Sequence, residues 1–461
     1  MRTFNFGSAT SVLFRGNVPA VLVLAAATLV SVGRAANPCI TSIYTADPSA
    51  HVWADGRLYV YPSHDMDPPR GCDLMDRYHV FSTADMVHWR DEGEILRSSA
   101  VTWGRPEGGF MWAPDCAYHD GTYYFYYPHP SGSDWNRTWK VGVATSSKPA
   151  SDFQPAGFIA GVGGFSMIDP AVFVDTDGTA YFYYGGGGKC QGAKLKANMT
   201  ELDGDLQPMT GLEDFHEATW VFKRNGIYYL AYADNHPGAN RLRYATSDHP
   251  LGPWTYRGIY LEPTGCDTSH GSVVEFKGQW YQFYHNQSLS GQGTLRSVCV
   301  DRLYFNPDGT VLTVEQTKTG VPAVGPAPEP DAHAVRYAAA QAHCGGDATV
   351  GEDAAAAAGH AIQNLHLADA YVEWSDIDGG SAGGRANLAI HYASADRAKL
   401  RLSVNGTDWS FLNTPTTGGW SAYQGTADLT VPLAAGKTNV VRLTGGHGGV
   451  NVDYLTVTPL P

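Results

Sequence analysis

A hairpin pattern that recurs five times along the chain constrains its fold more than any other feature. Each copy has an apolar run, a turn that contains glycine, and a second run rich in aromatic residues, which is typical of a β-hairpin. The clearest copy is FSMIDPAVFVDTDGTAYFYYGGG at residues 165–187. The turn glycines recur every 48 to 65 residues and are Gly56, Gly121, Gly178, Gly226 and Gly278. A repeat near fifty residues with several short strands predicts an all-β fold, a five-bladed β-propeller.

Acidic side chains occupy one position of this repeat in three copies. Asp47, Asp169 and Glu217 each precede the turn glycine of their copy by nine residues. Because the first strand of each propeller blade lines the central channel, equivalent positions face one another across it. We therefore expect the three carboxylates to meet at one mouth of the channel. In the other two copies this level falls at Trp112 and beside His270.

The beginning of the chain has the pattern of a secretory signal. Arg2 and Arg15 precede an apolar core at Val18–Val32, and small residues follow it. We assign residues 1–36 to this segment and expect a secreted, extracellular protein. The alternative is a membrane anchor, but the apolar run is short for a span, and we expect no membrane association.

The charge balance limits the partners of the chain. The formal net charge is −14, which argues against nucleic acid and anionic membranes, since both require a basic face. The negative charge does not disfavour a neutral polysaccharide or oligosaccharide as partner.

The seven cysteines have no C-x-x-C spacing, so a zinc site is not indicated. Outside the cell, one or two disulfides with at least one unpaired cysteine are plausible, and we expect a monomer.

A change in composition divides the chain into two folded parts. The propeller repeats occupy residues 37–318, and the segment TGVPAVGPAPEP at residues 319–330 is a stiff linker. Residues 331–461 are rich in alanine, glycine, threonine and valine, with short strands at regular spacing. This pattern predicts an antiparallel β-sandwich of the jelly-roll kind.

Three carboxylates at one channel mouth indicate glycoside hydrolysis. This reaction needs one protonated carboxyl group for the leaving oxygen and one ionised carboxylate for the water or the sugar. Asp47 and Glu217 come from non-adjacent blades, which favours the wide separation, roughly 6.5–9.5 Å, of inverting enzymes. Asp169 would then adjust the pKa of the residue that acts as the acid. The alternative is that these carboxylates only cap strand ends or bind turn amides.

Four motifs lie in order along the repeats, and they are TADP (Thr45 to Pro48), WAPD (Trp112 to Asp115), MIDP (Met167 to Pro170) and FHEATWVF (Phe215 to Phe222). Together they resemble glycoside hydrolase family 43, a family of inverting five-bladed propellers. The resemblance spans about residues 40–315 and implies Asp47 as general base, Asp169 as pKa modulator and Glu217 as general acid. It also implies that Arg296 reaches the substrate, with a structural ion pair as the alternative, and that His270 faces a channel cation, usually Ca²⁺, with a histidine without metal as the alternative. No organic cofactor is implied.

Tryptophans near the repeats are candidates for stacking on sugar rings. We consider Trp53, Trp103 and Trp112 as substrate-binding residues, with packing in the β-rich core as the alternative for each. His51 and the pair His64–Asp65 are further candidates for the funnel above the channel.

Five stretches of the C-terminal part form a further pattern, and they are ANLAIHYAS (Ala386 to Ser394), LSVNGT (Leu402 to Thr407), TTGGW (Thr416 to Trp420), VPLAAGKTNVVRL (Val431 to Leu443) and GGVNVDYLTV (Gly448 to Val457). They resemble a family 6 carbohydrate-binding module. The resemblance implies that Trp420 and Asn451 contact sugar. Ala339 stands where a glutamate is expected, and Leu365 or His366 replaces the aromatic partner of Trp420, so a purely structural sandwich is the alternative.

Together these patterns predict an enzyme that removes terminal sugars from plant-type polysaccharides. Arabinofuranosyl or xylosyl units are the expected substrates, with galactofuranosyl units as a further candidate. The alternative is a propeller that binds carbohydrate without hydrolysing it. The presence of all three carboxylates argues against this alternative.

Overall fold

The computed structural model describes residues 36–67 and 74–461, and every structural statement below concerns these residues. They form thirty β-strands, β1 to β30, and short 3₁₀ turns at Ser98–Ala100, Trp135–Arg137 and Ala339–Gln341. The predicted all-β class is confirmed. The predicted signal segment lies outside the described residues except for its last residue, and no helix in the described part is long and apolar enough to cross a membrane.

The first nineteen strands form five antiparallel sheets, in each of which the strands pair in chain order. The first sheet contains β1 (Thr45–Val52), β2 (Leu58–His64), β3 (Arg77–Thr83) and β4 (Trp89–Arg97). The second contains β5 (Asp115–His119), β6 (Thr122–Pro130), β7 (Trp139–Ser146) and β8 (Gln154–Gly164). The third contains β9 (Ala171–Val174), β10 (Ala180–Gly186), β11 (Lys189–Leu195) and β12 (Leu202–Pro208). The fourth contains β13 (Phe215–Arg224), β14 (Ile227–Asp234), β15 (Leu242–Ser247) and β16 (Thr255–Leu261), and the fifth contains β17 (Gly271–Phe276), β18 (Gln279–Asn286) and β19 (Ser297–Arg302).

Buried apolar clusters join each sheet to the next and the last sheet to the first. Tyr61 and Phe125 belong to the cluster between the first and second sheets, and Val60 and Val300 to the cluster that joins the first and fifth. The clusters between the second and third, third and fourth, and fourth and fifth sheets are built in the same way. The sheets therefore pack face to face around a ring, with their first strands innermost, as in a β-propeller.

Backbone hydrogen bonds also close the ring. The N–H of Cys39 donates to the carbonyl of Val298 over 2.8 Å, so the segment before β1 pairs with β19. The N–H of Thr45, the first residue of β1, donates to the carbonyl of Arg296 over 2.8 Å. These bonds hold the start of the first sheet against the fifth, and Asp47 follows directly after this junction.

The remaining strands form a two-sheet sandwich, as the sequence predicts. One sheet has the order β22-β23-β30-β25-β28, with β20 also paired to β30, and the other has the order β21-β24-β29-β26-β27. In β26, buried Leu400 and Leu402 alternate with the more exposed Lys399 and Arg401. The strands are β20 (Val335–Ala338), β21 (His343–Gly345), β22 (Thr349–Glu352), β23 (His360–Leu365), β24 (Tyr371–Ile377), β25 (Gly384–Ala393), β26 (Ala398–Val404), β27 (Thr407–Thr414), β28 (Gly425–Leu433), β29 (Asn439–His447) and β30 (Val450–Pro459).

The sandwich packs directly on the first sheet. The N–H of Thr430 donates to Asp91 Oδ2 over 2.7 Å, and the N–H of Asp91 donates to Asp428 Oδ2 over 2.9 Å. Arg385 Nη1 donates to the carbonyl of Glu92 over 2.8 Å. The described residues all lie in one compact unit. The module is therefore held against the propeller by buried polar contacts between β4, β25 and β28.

The cysteines of the described part are free thiols. Cys39, Cys116, Cys190, Cys266, Cys299 and Cys344 form no disulfide, and Cys72 lies outside the described residues. The disulfides that we considered plausible are therefore absent among these six residues.

Candidate active site

One mouth of the ring brings the three acidic side chains of the repeat into a single cavity. The cavity has a volume of about 300 Å³. Its wall includes Asp47, Asp169 and Glu217 together with Trp112, His270 and Arg296. These six residues come from all five sheets or the loops that precede their strands. The convergence expected from the nine-residue spacing is therefore present in the structure.

Irregular backbone at the strand ends aims these carboxylates at the cavity. Asp47 and Asp169 adopt positive φ angles of 50° and 52°, and Ala218, directly after Glu217, has a φ of 66°. The register of β1 shifts between Ala46 and Ser49, and that of β13 shifts on both sides of Glu217. Left-handed backbone at non-glycine residues costs about 1–3 kcal/mol each, and such bulges redirect side chains near active sites. The strain is thus concentrated where the acids are presented.

Asp47 lies in a network that favours its ionised form. Its Oδ1 accepts a hydrogen bond from Arg296 Nη1 at 3.1 Å, and its Oδ2 accepts one from Ser63 Oγ at 2.5 Å. Burial raises the pKa of Asp47, but Arg296, His285 and His270 together outweigh it and lower the pKa to about 2. Asp47 is therefore a carboxylate across the neutral and mildly acidic range.

Arg296 is fixed in place by a second carboxylate, Asp65. Arg296 Nε donates to Asp65 Oδ2 and Arg296 Nη2 to Asp65 Oδ1, each over 2.9 Å. The N–H of Arg296 also donates to Asp65 Oδ2 over 2.7 Å. This two-pronged pairing leaves Nη1 directed at Asp47 and holds the guanidinium rigidly in the wall of the cavity.

His285 is a site residue that the sequence reasoning missed. It lies in β18, is fully buried, and its Nδ1 accepts the N–H of Asp47 at 3.1 Å. Its Nε2 donates to the carbonyl of Thr268 over 3.0 Å. Burial lowers the pKa of His285 to about 3, so the ring is neutral and acts as an acceptor that supports the backbone of Asp47. The nine-residue spacing compares positions at the first strands of the sheets. It could not identify His285, because β18 is the second strand of its sheet.

Glu217 and Asp169 lie in an environment that retains a proton. Burial raises the pKa of Glu217, and the charge of Asp47 raises it further, while His216 and Arg296 act in the opposite direction. Burial also raises the pKa of Asp169 well above its usual value, with the charge of Glu217 as the next cause. Asp169 Oδ2 accepts the N–H of Ala218 at 2.7 Å, which favours the anion at this residue. The two buried carboxyl groups therefore favour sharing one proton, and Glu217 is the more exposed of the two, with 18% of its side chain accessible against 5% for Asp169.

His270 lies between two of the carboxylates. Its Nδ1 is 4.0 Å from Asp47 Oδ1 and 3.8 Å from Asp169 Oδ2, and burial lowers its pKa to about 4. In the described residues, no group of three or more His, Cys, Asp or Glu is placed to hold a metal ion. Ca²⁺ prefers oxygen ligands, so these side chains do not form a direct calcium site around His270.

The three candidate tryptophans lie in different places. Trp112 is part of the cavity wall, and its ring lies 4.5 Å from that of Trp139. Trp53 lies near the opposite mouth of the channel, stacked on His51 at 4.9 Å. Trp103 packs on Tyr127 outside the cavity. The structure therefore places Trp53 and Trp103 away from the carboxylates.

Asp115 of the second sheet has a structural position inside the channel. Its Oδ1 accepts hydrogen bonds from Ser49 Oγ at 2.6 Å and from His51 Nε2 at 2.7 Å. Its Oδ2 accepts the N–H of Val172 at 2.6 Å. Asp115 thus connects the first three sheets below the cavity. His51 belongs to this connection and not to the funnel.

Trp420 and Asn451 meet at a cleft on the sandwich. The Asn451 side-chain amide donates to the carbonyl of Trp420 over 2.8 Å, and the Trp420 side chain is 46% exposed. His366 and Asp353 also line this cleft. The two residues predicted from the sequence are therefore neighbours, and Trp420 is partly exposed to solvent.

A ring of antiparallel sheets with three carboxyl groups at its mouth defines a β-propeller glycosidase, an enzyme that hydrolyses glycosidic bonds. The comparison with protein families agrees. The chain belongs to glycosyl hydrolases family 43, whose profile matches residues 35–311. Residues 346–457 match carbohydrate-binding module family 35, so the assigned subtype differs from the family 6 that the motifs suggested.

The proteins to which the chain is similar include xylosidases, arabinosidases and an arabinoxylan arabinofuranohydrolase. Xylosidase/arabinosidase 43A of Humicola insolens is 38% identical over 333 residues, which are 60% of this chain and 98% of that protein. A family 43 β-xylosidase/α-arabinofuranosidase from a compost metagenome, solved with xylotriose in a calcium-free form, has a TM-score of 0.56 and 36% identity over 61% of this chain and 97% of that chain. The arabinoxylan arabinofuranohydrolase of Bacillus subtilis, solved with cellotetraose, has a TM-score of 0.56 and 26% identity over 93% of this chain and 99% of that chain.

Proposed function

We propose that this chain is a secreted, inverting glycosidase that removes terminal xylosyl or arabinofuranosyl units, with Asp47 as general base and Glu217 as general acid. The observation that carries this proposal is the convergence of the two carboxyl groups in one cavity, with their pKa values shifted in opposite directions. Against the effect of burial, Arg296 lowers the pKa of Asp47, whereas burial raises the pKa of Glu217. A glycosidase needs one ionised carboxylate and one protonated carboxyl group at its working pH.

The two roles follow from the surroundings of each carboxyl group. Asp47 carries a negative charge and takes a proton from water as that water attacks the anomeric carbon. Glu217 gives its proton to the oxygen of the leaving group. The residues belong to β1 and β13, in the first and fourth sheets, which favours a gap wide enough for a water molecule and hence inversion.

Asp169 acts as a positioning residue. It is buried beside Glu217, and the N–H of Ala218 fixes its Oδ2 at 2.7 Å. Because the two carboxyl groups are buried side by side, ionisation of one disfavours ionisation of the other. Asp169 thereby modulates the pKa of Glu217, and its hydrogen bond orients the backbone that carries Glu217.

The substrate is the finer part of the proposal. A cavity of about 300 Å³ lies at the small end of ligand sites, which favours a single terminal sugar over an internal stretch of polymer. Arg296, held by Asp65 and Asp47, forms part of the wall around that sugar. Xylosyl and arabinofuranosyl units are proposed because of the relatives' activities, and galactofuranosyl units remain a further candidate.

The other finer proposals concern the surroundings of the site. We propose that the five sheets are the blades of a five-bladed propeller within residues 37–318, that residues 319–330 join it to the module at 331–461, and that the protein acts as a secreted monomer after removal of residues 1–36. Trp420 and Asn451 are proposed to bind sugar on the module. Calcium in the channel would depend on water ligands, and no step of the reaction is assigned to it.

Hydrolysis of nitrophenyl glycosides tests the proposed function. Wild-type protein is incubated with the arabinofuranoside, xyloside and galactofuranoside, beside Asp47→Asn and a control at an exposed aspartate, Asp177→Asn. We expect release from the xyloside or the arabinofuranoside, a loss of about 10²–10⁴-fold in Asp47→Asn, and no loss in the control. No release from any substrate, or equal rates in Asp47→Asn and wild type, would contradict the proposal.

A further inference from the structure

The rim between the second and third sheets carries exposed aromatic side chains beside the cavity. Phe165 is 63% exposed, the largest fraction among the large apolar side chains of the described part, and Trp135 is 37% exposed. Single exposed apolar residues are common, but adjacent ones at the edge of a cavity mark ligand-binding surfaces.

Both residues belong to loops at the same mouth as the carboxylates. Trp135 lies between β6 and β7, and Phe165 lies between β8 and β9, four residues before Asp169. The two loops are joined by hydrogen bonds. The N–H of Ser166 donates to the carbonyl of Asn136 over 3.3 Å, and Ser166 Oγ donates to Asn136 Oδ1 over 3.2 Å. They therefore form one surface.

At one end, this surface continues into the cavity wall. The ring of Trp135 is stacked on Phe110 at 5.0 Å with 21° between the planes, and it lies 5.8 Å from Trp112. Trp112 is part of the cavity wall. Aromatic packing thus fixes Trp135 against the site, while part of its ring remains exposed.

At the other end, the surface reaches the neighbours of the acid. The ring of Phe165 lies close to Gly187, in the turn after β10. A Cβ atom added to this glycine would lie 3.9 Å from Phe165 Cε1. The next residue, Gly188, donates its N–H to the carbonyl of His216 over 3.3 Å. His216 Nε2 is in turn 3.5 Å from Glu217 Oε2.

We propose that Phe165 and Trp135 form a leaving-group subsite that binds the sugar chain from which the terminal unit is cut. This inference rests on the proposed function, because the general acid must touch the oxygen of the leaving group. The chain beyond that oxygen therefore leaves the cavity beside Glu217, where the rim begins. The flat apolar face of a β-1,4-linked pyranose stacks on exposed aromatic rings, so the subsite takes a neutral xylan-type chain.

The test compares two substrates with different leaving groups. The kcat/KM values on a linear β-1,4-xylo-oligosaccharide and on a nitrophenyl glycoside are measured for Phe165→Ala, Trp135→Ala and wild type. We expect each substitution to lower the oligosaccharide value about tenfold more than the nitrophenyl value, which corresponds to the loss of one aromatic contact. Tyr118→Ala is the matched control, because Tyr118 is a 43% exposed aromatic residue near the opposite mouth of the channel.

Equal losses on both substrates, or no loss on either, would overturn the subsite. Failure of the wild type to cleave either substrate would instead defeat the proposed function. In that case calorimetric binding of the oligosaccharide still decides the subsite, with Trp420→Ala in every sample to remove the module cleft. Binding weakened by Phe165→Ala supports it, and binding unaffected by Phe165→Ala rejects it.

Discussion

Replacement of Glu217 by glutamine isolates the role of the proton in this cavity. The amide has the shape of the carboxylic acid and keeps the 3.5 Å approach to His216, but it has no acidic proton to give. The loss of rate should therefore depend on the leaving group. A poor leaving group, such as a sugar alkoxide, needs the proton, whereas a dinitrophenolate leaves without it.

The expected magnitude follows from the position of the side chain. Glu217 is largely buried and its pKa is raised, so at neutral pH it is a competent acid whose contribution is of the order of 10²–10⁴-fold. At about 1.36 kcal/mol per factor of ten, this corresponds to roughly 3–5 kcal/mol of transition-state stabilisation. We expect that loss on a xylo-oligosaccharide and a loss below about tenfold on a dinitrophenyl glycoside.

Steady-state kinetics over a range of pH check this prediction. In the wild type, activity on the oligosaccharide should fall as pH rises through the raised pKa of Glu217, because the acid loses its proton. That decline should be absent in Glu217→Gln. Glu213→Gln, at an exposed glutamate four residues away, is the control and should behave as wild type. Equal losses on both substrates, or an unchanged alkaline decline in Glu217→Gln, would refute the assignment of Glu217 as acid.

Three further predictions concern stability and the module. Arg296→Met should lower the free energy of unfolding by about 3–5 kcal/mol in urea titrations, because two buried carboxylates lose their partner, whereas Arg401→Met at an exposed pair should change it by less than about 1 kcal/mol. The folded pKa of Asp47, about 2, lies below its ordinary 3.8, so this residue contributes stability above pH 3.8 that is lost as pH falls towards 2; Asp47→Asn should remove this part of the acid dependence. Trp420→Ala should weaken retention in xylan gels by at least about tenfold, and Leu367→Ala, at another exposed apolar residue of the module, should not.

The repeat spacing predicts the convergence of the acids because, in a propeller, residues at equal distances from their turn glycines lie at the same level of the central channel. Asp47, Asp169 and Glu217 share one distance from their turn glycines, and the structure places all three at one mouth. The same reasoning explains why Trp112 lies in the cavity wall and Trp53 does not. Trp112 occupies the register of the acids, whereas Trp53 follows Asp47 by six residues, about 20 Å along an extended strand, and lies near the other mouth.

The partners of the acids were harder to predict from the sequence. His285 comes from a second strand, and its contact with Asp47 depends on how β1 packs against β18. Asp65 was only a funnel candidate, because its pairing with Arg296 spans 231 residues of sequence and is set by ring closure. Local patterns carry no signal for such contacts. Trp103 shows the converse, since it precedes the cavity residue Trp112 by only nine residues in the sequence but packs on Tyr127 outside the cavity.

The stereochemistry of the first product tests the central claim most directly. Hydrolysis of a xylo-oligosaccharide or an arabinofuranoside by the wild type is followed by proton NMR from the first minutes, before the released sugar mutarotates. If water attacks with the help of Asp47 while Glu217 protonates the leaving oxygen, the anomer that appears first has the configuration opposite to that of the substrate bond. Initial release of the sugar with the configuration of the substrate would contradict the account.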